Sequence, residues 1–181
     1  YALGKTYQKR GDLARARQQY EPSLEINLRL PNAVAAAYLS YQIAALAQTE
    51  GRYSEAERYY QQAFELRQDI GDEAGAMRTL YQLGVVTAAQ GKLDLAYDQL
   101  QNSLALALEL GDALVKVRSL HALGNILYQK GLYPRAMEHY RQCLALEEEM
   151  DDKIGVAASL HAIGMIYHDQ GNYAQARDYY M

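Results

Sequence analysis

Apolar residues recur along this chain at helical spacing, and the whole helical pattern then recurs every 40 residues. Leu80, Leu83, Gly84 and Thr87 share one sector at about 100° per residue, as do Leu120, Leu123, Gly124 and Leu127. A second run in each unit behaves alike, with Tyr60, Ala63, Phe64 and Leu66 matching Tyr140, Cys143, Leu144 and Leu146. Gly11, Gly51, Gly91, Gly131 and Gly171 keep the register, each followed five residues on by Ala16, Ala56, Ala96, Ala136 or Ala176. The pattern predicts two helices per unit in a tandem array.

Punctuation agrees. Asn32, Asp72, Asp112 and Asp152 are expected to cap the first helix of each unit, because a short side-chain oxygen accepts from unpaired first-turn amides. The five register glycines fall between the paired helices, where the chain must turn tightly. Pro134 suits the first turn of a second helix, whereas Pro22 is expected to kink or interrupt one. Gly84, Gly124 and Gly164 face Ala96, Ala136 and Ala176, so paired backbones can approach closely, with Tyr60, Tyr140 and Leu83 filling in around them. A lone pair cannot bury both faces, and stacked neighbours complete an elongated core.

Composition narrows the function. The 181 residues carry a formal charge of −4, which argues against nucleic-acid binding by bulk basicity. One cysteine, Cys143, excludes an internal disulfide framework and a multi-cysteine zinc site. No apolar run reaches the roughly 20 residues of a membrane span. A soluble, cytoplasmic polypeptide is expected. The repeat register starts partway through a helix and stops partway through another at Met181, so the chain reads as an excerpt of a longer array. Its uncapped ends could self-associate.

The residues Leu123-Gly124, Gly131, Tyr133, Ala136, Tyr140 and Cys143 resemble the tetratricopeptide repeat signature. So do Leu83-Gly84, Gly91, Ala96 and Ser103, and Ile163-Gly164, Tyr167, Gly171, Tyr173 and Ala176. The family unit is usually about 34 residues; the longer unit here is similar to those of kinesin light chains, spindle-orientation adaptors and bacterial Rap-type regulators. Ala44 departs from the small-residue column, which implies a slightly looser pair there. The resemblance implies an all-α, right-handed α-α superhelix of antiparallel helix pairs. It implies a single array over 1–181, with full repeats at 31–70, 71–110 and 111–150 and partial ones at 1–30 and 151–181. It also implies a concave peptide-binding groove lined by the first helices.

Angular arithmetic picks the columns of that groove, in a sector about 130° from the aliphatic one. One column reads Tyr1, Tyr41, Tyr81, His121, His161, with Gln42 and Gln82 beside it; a second reads Tyr38, Arg78, Arg118, Ala158. A third holds Lys5, Ala45, Val85, Asn125, Met165, and a fourth Gln8, Gln48, Ala88, Tyr128, His168. Tyr, His, Arg, Gln and Asn combine apolar area with directed hydrogen bonds, which suits recognition. Lys5, Lys9, Arg78 and Arg118 against Asp169 leave these positions at +3 within a chain of −4. An acidic or carboxylate-bearing peptide is therefore the expected ligand. Arg118 can grip a carboxylate with two hydrogen bonds, and the resemblance implies that Asn125 bonds a peptide backbone. Arg78, Tyr81, Arg118, His121, Asn125 and Tyr128 are the expected centre.

Catalysis finds little support. Gly84 to Gly91 with Lys92 is a poor phosphate loop, since Val86 occupies the first-glycine position and Leu93 replaces the Ser or Thr. His121, His161, His168 and Asp169 lack the short spacing of a metal site, so no metal or other cofactor is expected. At their ordinary pKa these imidazoles would gain charge below about pH 6.5 and favour acidic ligands further. Cys143 shares a column with Ser23, Ala63 and Ser103 and is expected in the core, while His139 is expected on an outer face. Glu147-Glu148-Glu149 with Asp151-Asp152 reads as a solvated helix end and cap, or as a secondary site for a basic partner. The leading reading is a non-catalytic peptide-binding scaffold. A peptide-responsive regulator switching an attached domain and a self-assembling scaffold are the rivals.

Overall fold

The computed structural model describes residues 2–30 and 32–181. Among them are ten helices and no strands: α1 (Ala2–Lys9), α2 (Leu13–Arg29), α3 (Ala33–Thr49), α4 (Tyr53–Asp69), α5 (Glu73–Ala89), α6 (Leu93–Leu110), α7 (Ala113–Gln129), α8 (Tyr133–Glu149), α9 (Lys153–Asp169) and α10 (Tyr173–Tyr180). The chain forms two compact units, Tyr1–Gln99 and Leu100–Met181, divided inside α6. In the first unit α1 through α5 pack each against the next, and in the second α7 through α10 do the same.

The expected caps form. Asn32, Asp72, Asp112 and Asp152 accept from the amides of Ala35 (3.2 Å), Gly75 (2.9 Å), Val115 (3.0 Å) and Gly155 (3.1 Å). Asp12 does likewise for α2, accepting from Arg15 at 3.0 Å. Each such bond satisfies an orphan first-turn donor, a contribution of about 1 kcal/mol. Gly51 between α3 and α4 has φ +73°, the left-handed conformation that a β-carbon would strain. Asp151 adopts φ +52° at the α8–α9 turn and carries that strain as a non-glycine. At the corresponding α2–α3 turn, Leu30 precedes Pro31 and is extended at ψ 134°, where Ile70 and Met150 stay near ψ 0°. Crowding by a following proline ring disfavours the helical region.

Each unit is held by small residues meeting large ones. Ala16, Ala56, Ala136 and Ala176 are buried, and Tyr20, Tyr60 and Tyr140 are enclosed beside the first three. A β-carbon on Gly124 would lie 2.6 Å from Cε1 of Tyr140, so glycine is what lets α7 and α8 close on that ring. In the first unit Tyr20, Leu24, Leu39, Ile43 and Leu46 form one cluster, with Tyr7 and Tyr38 against it. In the second, Cys143 packs with Val117 and Leu120. Its thiol donates to the Val117 carbonyl (3.5 Å), and burial pushes its pKa up to about 12, so it is an inert core residue.

Pro22 does not interrupt α2, which runs unbroken from Leu13 to Arg29. Both Pro22 and Gln18, whose carbonyl loses its helical donor, are exposed, and water can satisfy that carbonyl. His139 is likewise not fully on an outer face: it is half-buried, with Nδ1 enclosed and unbonded. No helix among the described residues is long and apolar enough to cross a membrane.

Candidate functional site

The columns picked from the sequence alternate with the buried aliphatic ones on the same helices, and none of the picked residues among those described is fully buried. In the first unit, α3 carries Tyr38, Tyr41 and Gln42, and α5 carries Arg78, Tyr81 and Gln82. Arg78 is exposed and the other five are half-buried. Tyr1 lies outside the described residues. Lys5 holds its ammonium 5.1 Å from the Tyr38 ring centre, and Arg67 of α4 sets its guanidinium 4.9 Å from that of Tyr41. Both are cation–π contacts.

In the second unit, α7 carries Arg118, His121, Asn125 and Tyr128, and α9 carries His161, Met165 and His168. Arg118, Asn125, His161 and His168 are exposed; His121, Tyr128 and Met165 are half-buried. The structure brings Tyr128, His168 and Asp169 together. The Tyr128 hydroxyl donates to Asp169, and His168 Nδ1 lies 3.4 Å from the same carboxylate. That bond pushes the Tyr128 pKa up to about 12 and holds Asp169 below its ordinary value. Tyr133 and Tyr173 flank the group, 5.7 Å from Tyr128 and 5.3 Å from His168.

One construction repeats beneath both faces. Tyr41, His121 and His161 each lie 5.3 Å from the tyrosine of the following helix, respectively Tyr60, Tyr140 and Tyr180. The hydroxyls of Tyr20 and Tyr60 donate to Gln8 (2.8 Å) and Gln48 (2.7 Å). In the α7–α8 pair the glutamine position holds Tyr128, and the Tyr140 hydroxyl turns instead to Asn125 Oδ1 at 2.7 Å. Asn125 therefore spends its acceptor on the fold. Its Nδ2, 3.4 Å from His121 Nδ1, is the group left to meet a ligand.

Two residues under these faces add to the sequence reading: Arg67 was not singled out there, and Glu147, expected in a solvated helix end, is instead buried. Arg67 donates to the Gly75 carbonyl (2.7 Å) and the Thr79 hydroxyl (2.6 Å), lies 3.7 Å from Asp72, and has a side chain only 12% exposed. Burial lowers its pKa, partly offset by Asp72, but a guanidinium keeps its charge near neutrality. Glu147 occupies the same repeat position between α8 and α9, is 4% exposed, and accepts from the Ser159 hydroxyl at 2.6 Å. The readable signal was covariation within the chain. Arg67 and Glu147 stand opposite Gly75 and Gly155, whereas Ala107 stands opposite Val115. A β-carbon on Gly75 would meet Arg67 Cδ at 2.9 Å, and one on Gly155 would meet Glu147 at 2.8 Å.

His121 departs from the ordinary imidazole assumed above. Burial lowers its pKa, the charge of Glu147 only partly restoring it, and its Nε2 is enclosed without a hydrogen-bond partner. Its charging is therefore displaced to lower pH than that of an ordinary imidazole.

Comparison with known proteins places this geometry. Models of the tetratricopeptide repeat match residues 1–69, 75–149 and 156–181. The crystal structure of BtubC (BKLC) from P. vanneervenii superposes with a TM-score of 0.86 at 18% identity, covering 98% of this chain and 74% of that one. The apo form of RapI gives 0.85 at 15% identity, covering 98% of this chain and 49% of RapI. A Rap protein complexed with competence and sporulation factor gives 0.80 at 17%, covering 99% and 50%. The chain thus spans about half the length of the Rap proteins. At these identities the likeness is one of fold. No curated protein matches the sequence.

Proposed function

Taking as premise that the chain belongs to the tetratricopeptide repeat family, we propose that it is a non-catalytic, cytoplasmic scaffold. It holds an acidic or carboxylate-bearing segment of a partner protein on the face of its first helices. The observation that carries this reading is the alternation on those helices. Buried aliphatic columns stand beside exposed or half-buried columns of Tyr, Gln, Arg, His and Asn. A merely solvated face would favour Lys and Glu. Arg78 in the first unit and Arg118 in the second supply charge for a carboxylate, and Asn125 Nδ2 supplies a donor for a peptide carbonyl. The Rap conjugation gene regulator of plasmid pLS20 in complex with the Phr* peptide, similar in fold to this chain, supports peptide binding as a use of this fold.

The test is a fluorescence titration with a labelled eight-residue oligoglutamate against an oligolysine of equal length. Oligoglutamate binds more tightly, weakens with salt, and loses about tenfold in affinity in R78A/R118A. Equal affinity for both peptides, or an unchanged affinity in a double variant of intact helicity, rejects the acidic preference. Compaction on peptide binding in small-angle scattering would move the reading to a peptide-responsive regulator.

A further inference from the structure

Between α2 and α3 the first unit contains an open cleft of about 530 Å³, lined by Ile26, Asn27, Val34, Ala35, Tyr38 and Leu39 among others. Its origin is visible in the sister boundaries. Arg67 fills the equivalent space between α4 and α5, reaching across Gly75 to Thr79. Glu147 fills it between α8 and α9, reaching across Gly155 to Ser159. In the second unit Ala107 and Val115 stand at the corresponding positions, 1% and 4% exposed, with no long side chain there. Asn27 occupies this position on α2, but it folds back and donates to the Ser23 carbonyl of its own helix at 2.7 Å. Ala35 adds only a methyl group, and the space stays open. Ile26 and Val34 stand at its mouth, 55% and 66% exposed.

We infer that this cleft is an anchor site for one bulky uncharged side chain, aromatic or branched aliphatic, presented by a partner polypeptide. Three features select that occupant. Two of the sister boundaries are filled by a side chain projecting from a helix, Arg67 and Glu147, so the shape accepts one. Among the described residues, no formally charged side chain lines the cleft. Leu39 stands where Thr79 and Ser159 supply the hydroxyls that satisfy Arg67 and Glu147, so a charged occupant would be desolvated without a partner. The volume lies in the range of built ligand sites, with an apolar wall and few polar groups. Tyr38 belongs both to this cleft and to the first-helix face, so a segment on that face can reach it. The inference does not rest on the acidic preference proposed above.

The experiment is a methyl-detected NMR titration of the whole chain with N-acetyl amides of leucine, tryptophan, arginine and glutamate. The leucine and tryptophan compounds should give saturable shifts confined to Val34, Ala35 and Leu39, at about millimolar affinity or better. The charged compounds should give none. N27R/A35G/L39T transplants the Arg67 arrangement and should weaken binding at least tenfold, with helicity retained. N27M, which fills the cleft without a charge, does the same should the triple variant fail to fold. R78A should leave this binding unchanged while weakening oligoglutamate, which separates the two readings. Stronger binding of the charged compounds, shifts scattered over the chain, or undiminished binding in N27M would each overturn the anchor site.

Discussion

At the α4–α5 boundary of the first unit the chain buries a guanidinium; at the α8–α9 boundary of the second, two repeats on, it buries a carboxylate. The surroundings match residue for residue. Asp72 and Asp152 cap the following helix, Gly75 and Gly155 leave room for the side chain, and Thr79 and Ser159 offer hydroxyls. Even the residue above corresponds, since Arg67 lies over Tyr41 while Glu147 acts electrostatically on His121, at the same repeat position. At these two boundaries the occupant has its polar end satisfied, and it carries a positive charge in one and a negative charge in the other. The two faces above differ as a result: one rests on a buried cation, the other on a buried anion.

The sharpest way to break this comparison is to reverse each charge. R67E would put a carboxylate beside Asp72 and the Gly75 carbonyl, with nothing but the Thr79 hydroxyl to donate to it. A loss of about 3 kcal/mol in urea unfolding is expected. E147R would find counterparts of every group that Arg67 uses, namely Asp152, the Gly155 carbonyl and the Ser159 hydroxyl, and should change stability by no more than about 1 kcal/mol. Equal losses would show that the boundaries are not equivalent.

A smaller effect is expected from G124A. The new methyl group must displace the Tyr140 ring, at a net cost of roughly 1–2 kcal/mol after the gain in helix propensity. The sister position Ala44 already carries a β-carbon and is fully buried, so A44G should lose only propensity, about 1 kcal/mol. Paired thermal melts decide whether the tyrosine contact or the helix dominates.

The smallest effect is in acid. His121 has a folded pKa below the ordinary 6.5, so its contribution to stability is complete above about pH 6.5 and is lost as pH falls through the lower folded value. Unfolding midpoints should drop between pH 7 and 5 by less in H121Q than in the unaltered chain. His139, whose pKa burial also lowers, contributes equally to both proteins and cancels. The imidazole resonances of His121 should titrate below 6.5; a midpoint above it would show that Glu147 outweighs burial.

Much of this was legible beforehand because repetition multiplies the signal. The caps at Asn32, Asp72, Asp112 and Asp152 and the left-handed glycines rest on local chemistry, which acts wherever those residues stand. That α2 continues through Pro22 turns on whether Gln18 faces water, a question of orientation. The pKa of His121 was misjudged for a similar reason, since the ring is enclosed by Tyr140 and the neighbouring helix. Glu147 read as part of a solvated helix end, and nothing in a one-dimensional pattern singled out Arg67. Only the glycines opposite them hinted otherwise. The role of Asn125 as acceptor for Tyr140 was out of reach, because it depends on which of two side chains meets a hydroxyl from another helix.

The sequence by itself determined where each helix begins and ends and which stripe of each helix is apolar, since propensity, capping and period act within a few residues along the chain. Tertiary structure alone decided how each boundary between neighbouring pairs is filled: by a cation, by an anion, by small apolar residues, or, among the described residues, by no crossing side chain. For Arg67, Glu147 and Asn27 that outcome turns on whether a side chain crosses to the next helix or folds back on its own, a choice made by space and hydrogen-bond partners that exist only once the helices have packed.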